Sequence, residues 1–139
     1  MARTPSATES ISVTFKAADP QTPIFKSLSN SGNVQRKGHI WLTNYSSGSV
    51  CINFQIKTAG YTFDLSNGAD SAIQINTDVA GHNAPPAGTF GNITASATTL
   101  DVTVEKIDAG KYYYKLTINE PAERGRRRFT IGDPIIVNR

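Results

Sequence analysis

One cysteine, Cys51, stands alone in the 139 residues, so no disulfide can form within the chain and the fold must hold without one. Two histidines and that cysteine fall short of any Cys/His zinc pattern, and no glycine-rich phosphate cradle is present. These absences point away from an enzyme, and neither a cofactor nor a metal is expected. No apolar run is long enough to cross a bilayer, which argues against membrane insertion. The opening "MARTPSATES" lacks the apolar centre of a secretory leader. With the lone cysteine, that favours a cytoplasmic protein. No internal repeat is visible and no segment sustains a helical period. The stretch "DLSNGAD" (64–70) places its glycine wrongly for an EF-hand loop and reads as turn chemistry. The sequons Asn44-Tyr45-Ser46 and Asn92-Ile93-Thr94 would matter only in a secreted chain.

What the chain does have is period-two alternation. "SISVTFK" sets Ile11, Val13 and Phe15 on one face; "SVCINFQIK" does the same for Val50, Ile52, Phe54 and Ile56. "TLDVTVE" aligns Leu100, Val102 and Val104, and "YYYKLTI" aligns Tyr112, Tyr114, Leu116 and Ile118. Shorter candidates are "IFKSL", "HIWLT", "YTFD", "SAIQI", "FGNIT", "RRFTI" and "PIIVN", divided by turn signals such as "SNSGN", "NYSSGS" and "IGDP". Short alternating strands of this kind describe an all-β, antiparallel sandwich of about 8–10 strands, with a closed barrel as the alternative. Residues 1–9 read as a flexible lead-in and 10–139 as a single domain.

The stretch "IDAGKYYYKLTI" (107–118) resembles the E–F corner of immunoglobulin-like sandwiches: Asp108, one residue, Gly110, one residue, Tyr112. Tyr114 stands where the immunoglobulin pattern has a cysteine. The resemblance implies an immunoglobulin-like fold, with a large side chain filling the space that a disulfide would occupy. More broadly, "ISVTFKAADPQTPIF", "GYTF", "TLDVTV", "GKYYYKL" and "GDPIIVN" resemble the small bacterial proteins of the DP-EP family. Here Ile135-Ile136 follows Asp133-Pro134 where that family carries Glu-Pro. This likeness implies a β-sandwich and a bacterial origin, and nothing catalytic.

Charge is concentrated rather than large. Fourteen Lys and Arg against 11 Asp and Glu give a net +3, yet Arg124, Arg126, Arg127 and Arg128 crowd one loop, "NEPAERGRRRF" (119–129). Guanidinium forks suit phosphate, carboxylate or sulfate, while Glu120 and Glu123 offset part of the cluster. If "YTFD", "SAIQI" and "FGNIT" each cross the sandwich, "NYSSGS" with Tyr45 lies at the same end as the arginines. Trp41 alternates opposite Ile40 and Leu42, but its size favours an inward position with the register one residue off.

Pro134 has no N–H to give a central strand, and Gly132 permits a bend. The final segment is therefore expected at a sheet edge or kink, with Pro134, Ile135, Ile136 and Val137 as an assembly edge. The first functional reading is a non-catalytic sandwich that associates with protein, itself included, as a homo-oligomer. The second is an anion-binding module for nucleic acid or an acidic glycan, acting through Arg124–Arg128. A third is a carbohydrate-binding module with Trp41 and Tyr45 as its platform.

Overall fold

A computed structural model describes residues 7–16, 18–19, 22–29, 31–42, 49–77, 83–85, 88–105, 110–125, 127–132 and 134–138. The chain is all-β. Its strands are β1 (Ala7–Thr14), β2 (Ile24–Ser27), β3 (Ile40–Trp41), β4 (Val50–Ile56), β5 (Thr62–Phe63) and β6 (Ser66–Ala69). They continue with β7 (Ile73–Asn76), β8 (Phe90–Ala95), β9 (Thr99–Val104), β10 (Gly110–Asn119), β11 (Arg128–Ile131) and β12 (Ile135–Asn138). One short 3-10 turn, Ala122–Arg124, interrupts them. The described residues hold twelve strands, more than expected: each candidate segment forms one strand, and β6 arises inside the stretch 64–70.

One sheet runs β2-β1-β4-β9-β8 and the other is organised around β10. All pairings in the first sheet are antiparallel except β1 with β4. Alternation translates directly into burial. Ile11, Val13, Val50, Ile52, Phe54, Leu100, Val102 and Val104 from the first sheet join Tyr112, Tyr114, Leu116 and Ile118 from β10 in one core. Phe54 and Tyr114 meet across the middle with ring centroids 5.6 Å apart, and Phe25 touches Phe54 edge-on at 6.5 Å. Phe15 stacks on Tyr61 at 4.5 Å and meets Phe129 edge-on at 6.0 Å. No side chain of the core needs a disulfide partner: Cys51 lies half-buried on the polar side of β4.

The long strand β10 carries two collinear strands on each side. On one side, β5 pairs with Ile118–Asn119 and β7 with Tyr113–Leu116. On the other, β11 pairs with Leu116–Asn119 and β12 with Gly110–Tyr113. Between Ile131, opposite Leu116, and Ile135, opposite Tyr113, three residues face two. That extra residue is a bulge, and Pro134 sits in it, accepting a hydrogen bond from Tyr114 N–H at 3.0 Å through its carbonyl. The break expected at Gly132–Pro134 is therefore present.

The expected free edge is not. β3 lies parallel to β12, opposite β10, and pairs Ile40 with Ile136 and Trp41 with Val137. Pro134 and Ile136 are buried. The assembly edge assigned to Pro134, Ile135, Ile136 and Val137 is thus covered over Ile136 and Val137, because β3, distant in sequence, pairs along the side of β12 opposite β10. A second correction concerns the start of the domain: β1 begins at Ala7, so residues 7–9 of the lead-in are strand. A third concerns Trp41. Ile40 and Leu42 are fully buried, which turns Trp41 outward, where it is only half-buried.

Candidate functional site

The arginine loop is a hairpin between β10 and β11. Glu120 N–H donates to the Arg127 carbonyl at 2.8 Å, closing its base. Within it, the turn Ala122–Arg124 ends on Gly125, whose φ of 85° is a left-handed conformation that favours glycine; its N–H bonds back to the Ala122 carbonyl at 3.0 Å. Two arginines are ion-paired, one closely and one loosely. Arg127 Nε lies 3.1 Å from Glu120 Oε1, and Arg128 Nε lies 3.8 Å from Asp64 Oδ2. Both carboxylates belong to buried residues, whereas the arginine side chains are 71% and 61% exposed. Each acid therefore orients its arginine without burying it, at the cost of local positive charge.

Asp64 is itself held by the turn that follows. Its carboxylate accepts from Ser66 N–H at 3.3 Å and from the Ser66 hydroxyl at 3.1 Å, and Ser71 Oγ donates to its carbonyl at 2.8 Å. The stretch 64–70 carries a turn bond, Gly68 N–H to the Leu65 carbonyl at 3.0 Å, but Ser66–Ala69 within it is the strand β6. No group of three or more His, Cys, Asp or Glu that could hold a metal occurs among the described residues. Beside the hairpin lies a cleft of about 480 Å³ lined by Glu120 and Glu123 with Gly60, Thr62 and Pro121. Its acidic lining directs an anion to the exposed arginine faces rather than into the cleft.

Of the other residues assigned to this surface, Arg124 ends the 3-10 turn; Arg126 and Tyr45 lie outside the described residues, as does Asp108 of the corner pattern. The described flanks of 43–48 do not approach the arginines. Leu42 and Ser49 sit where β3 ends and β4 begins, at the Gly110 end of β10, whereas the hairpin follows Asn119 at the other end. About 30 Å of strand separates the two ends of a ten-residue strand. The three expected crossings are not three: β5 and β7 both run antiparallel to β10 along the same side, so together they make one crossing.

Two further polar features stand out, of which the first escaped sequence reasoning and the second follows the alternation of its strand. Glu9 continues the inward row of Ile11 and Val13 and is fully buried. Its carboxylate accepts from Ser27 Oγ at 2.7 Å, Ser31 Oγ at 2.6 Å and Asn33 Nδ2 at 3.3 Å. The period-two row was a legible signal, but the partners come from the end of β2 and the loop after it, some twenty residues away. The second feature is a polar row on the outer face of β4: Lys57 donates to Gln55 at 2.8 Å, Gln55 to Asn53 at 2.6 Å, and Asn53 to Asp101. Cys51 Sγ lies 3.9 Å from Asp101 Oδ1. Burial first, then the Asp101 charge and this contact, push its thiol pKa up.

Comparison with known proteins adds little. No protein-family model matches the chain, and no curated protein does. One similar solved structure is the cysteine protease inhibitor EhICP2 from Entamoeba histolytica, at 17% identity, covering 96% of each chain with a TM-score of 0.34. Another is the inclusion body protein PixA from Burkholderia cenocepacia J2315, at 14% identity, covering 98% of this chain and 97% of that one, with a TM-score of 0.32. Overlaps this loose carry no argument about fold or function. No helix among the described residues is long and apolar enough to cross a membrane.

Proposed function

We propose that this chain is a non-catalytic, immunoglobulin-like binding module that takes a polyanion, nucleic acid or an acidic glycan, on the arginine hairpin. The observation that carries the reading is the pair Arg127 and Arg128, exposed by 71% and 61%, the first anchored through Nε to Glu120 and the second in a looser ion pair with Asp64. Anchoring lowers the entropy lost when a guanidinium engages a phosphate or sulfate, which favours arginine over the more mobile lysine. The test is fluorescence anisotropy with a labelled single-stranded oligonucleotide and with heparin, across a salt series. Binding should weaken steeply with salt, and Arg127→Gln with Arg128→Gln should lower the slope by about two. Unfolding midpoints measured alongside separate lost binding from lost fold. Absence of binding at low salt, or a slope unchanged in the double variant, rules the reading out.

A second reading, protein association including self-association, is favoured by Trp41. It is half-buried on the outer side of β3, in a two-residue strand at the end of its sheet. Tryptophan is enriched at protein interfaces, where a large rigid surface is covered at little entropic cost. Light scattering on a size-exclusion column would detect an oligomer, and Trp41→Ser should dissolve it. An oligomer unaffected by that substitution assembles elsewhere.

A further inference from the structure

We infer that the chain carries a second anion site, away from the arginine hairpin: a groove that takes a small organic anion, a carboxylate or phosphate borne on an apolar body. The groove, about 390 Å³, opens between the two sheets, where β2 and the end of β1 face the end of β11. That volume falls within the range of small-ligand sites. Its floor is apolar: Pro23, Phe25 and Ile131 are buried, and Ile24 is half-buried beside them. Its rim carries Lys16, Arg36 and Lys37, all exposed, and no acid among the described residues lines it. Asp19, in the turn after Lys16, is not among the lining residues.

The contrast with the hairpin is one of charge. Arg127 and Arg128 each lean on a carboxylate, whereas no ion pair among the described residues involves Lys16, Arg36 or Lys37. Three like charges around one groove repel each other and gain by receiving an anion. An apolar floor beneath them adds affinity only for a ligand with an apolar part.

The rim is also built. Arg36 and Lys37 lie in a tight turn closed by Gly38 N–H to the Gln35 carbonyl at 2.9 Å and Gln35 N–H to the His39 carbonyl at 2.8 Å. The core grips that turn at two points. Phe25 N–H donates to the Arg36 carbonyl at 3.0 Å, and the buried hydroxyl of Tyr114 donates to the Gly38 carbonyl. Gly38 itself has φ 97°, and a side chain there would meet Phe25 and Tyr114 at 3.0 Å. Two of the three cations are thus mounted on backbone fixed by the core, the preorganisation that a binding site requires.

The test is a titration of the full chain followed by backbone NMR, with inorganic phosphate, phenyl phosphate and benzoate as probes. Saturable shifts are expected at Ile24, Phe25, Arg36, Lys37 and Gly132 with phenyl phosphate or benzoate, and weaker binding of inorganic phosphate. Which of the two aromatic probes binds better distinguishes phosphate from carboxylate as the preferred head group. Arg36→Gln and Lys37→Gln, both at exposed positions, should each weaken binding about tenfold, the loss expected for one charge-assisted hydrogen bond. The proposal is overturned if no probe gives saturable shifts at millimolar concentration. It is equally overturned if inorganic phosphate binds as well as phenyl phosphate, or if the shifts fall on the arginine hairpin and survive both substitutions.

Discussion

Replacing Tyr114 separates the packing of this fold from its hydrogen bonding. The side chain is fully buried, meets Phe54 at 5.6 Å and donates its hydroxyl to the Gly38 carbonyl. Tyr114→Ala removes the ring and leaves a cavity at the centre of the interface between the sheets, which costs about 3–5 kcal/mol. It also leaves the Gly38 carbonyl without that donor, adding about 1–3 kcal/mol where water cannot enter. Against a total stability of about 5–15 kcal/mol, the variant should be barely folded. Tyr114→Phe keeps the ring and loses only the hydroxyl, so about 1–2 kcal/mol is expected. Tyr113→Ala is the control. Tyr113 faces the other way, half-exposed, with Lys111 Nζ 5.6 Å from its ring centroid, and should lose only about 1 kcal/mol. Urea unfolding followed by far-UV circular dichroism measures all three, and a constant slope shows that the midpoints are comparable. Equal, small losses at Tyr113 and Tyr114 would refute the burial argument. A Phe variant as damaged as the Ala variant would show that the hydroxyl, not the ring, carries the stability.

Burial holds the Tyr114 hydroxyl well above its ordinary pKa of 10.0, so the unfolded chain gives up that proton first. Its contribution is therefore complete below about pH 10 and declines as pH rises further; Tyr114→Phe should flatten this alkaline limb in pH-dependent urea melts. Glu9→Ala strands the hydroxyls of Ser27 and Ser31 and the amide of Asn33, and should cost about 3 kcal/mol. Glu9→Gln should cost less, because the serine hydroxyls can rotate, and a loss below about 1 kcal/mol for Glu9→Ala would show the cluster to be dispensable. The raised Cys51 pKa leaves little thiolate at neutral pH, so iodoacetamide should react slowly in the native state. Asp101→Asn removes the second cause of that shift and should speed the reaction; an unchanged rate would leave burial as the whole cause.

The sequence by itself determined the all-β class and the inward row of each long strand. Period two is a local property: Val50, Ile52, Phe54 and Ile56 point one way whatever pairs with β4. It also determined the break at Gly132–Pro134, because a missing N–H and a permissive glycine act on their own neighbours. Even Trp41 obeyed the alternation, and only the expectation drawn from its size went astray. What tertiary structure decided was which segments become neighbours. That β3 would cover β12, that β5 and β7 would share one crossing, and that Ser27, Ser31 and Asn33 would meet Glu9 all depend on contacts between distant residues. The same holds for function. Four arginines in five residues are conspicuous in sequence, and so is Glu120 in the same loop, but the pairing of Arg128 with the buried Asp64 joins two distant turns. Lys16, Arg36 and Lys37 are unremarkable in sequence and become one rim only when the sheets close. Charge along a chain is additive, but the field at a site depends on distance, and distance is set by the fold.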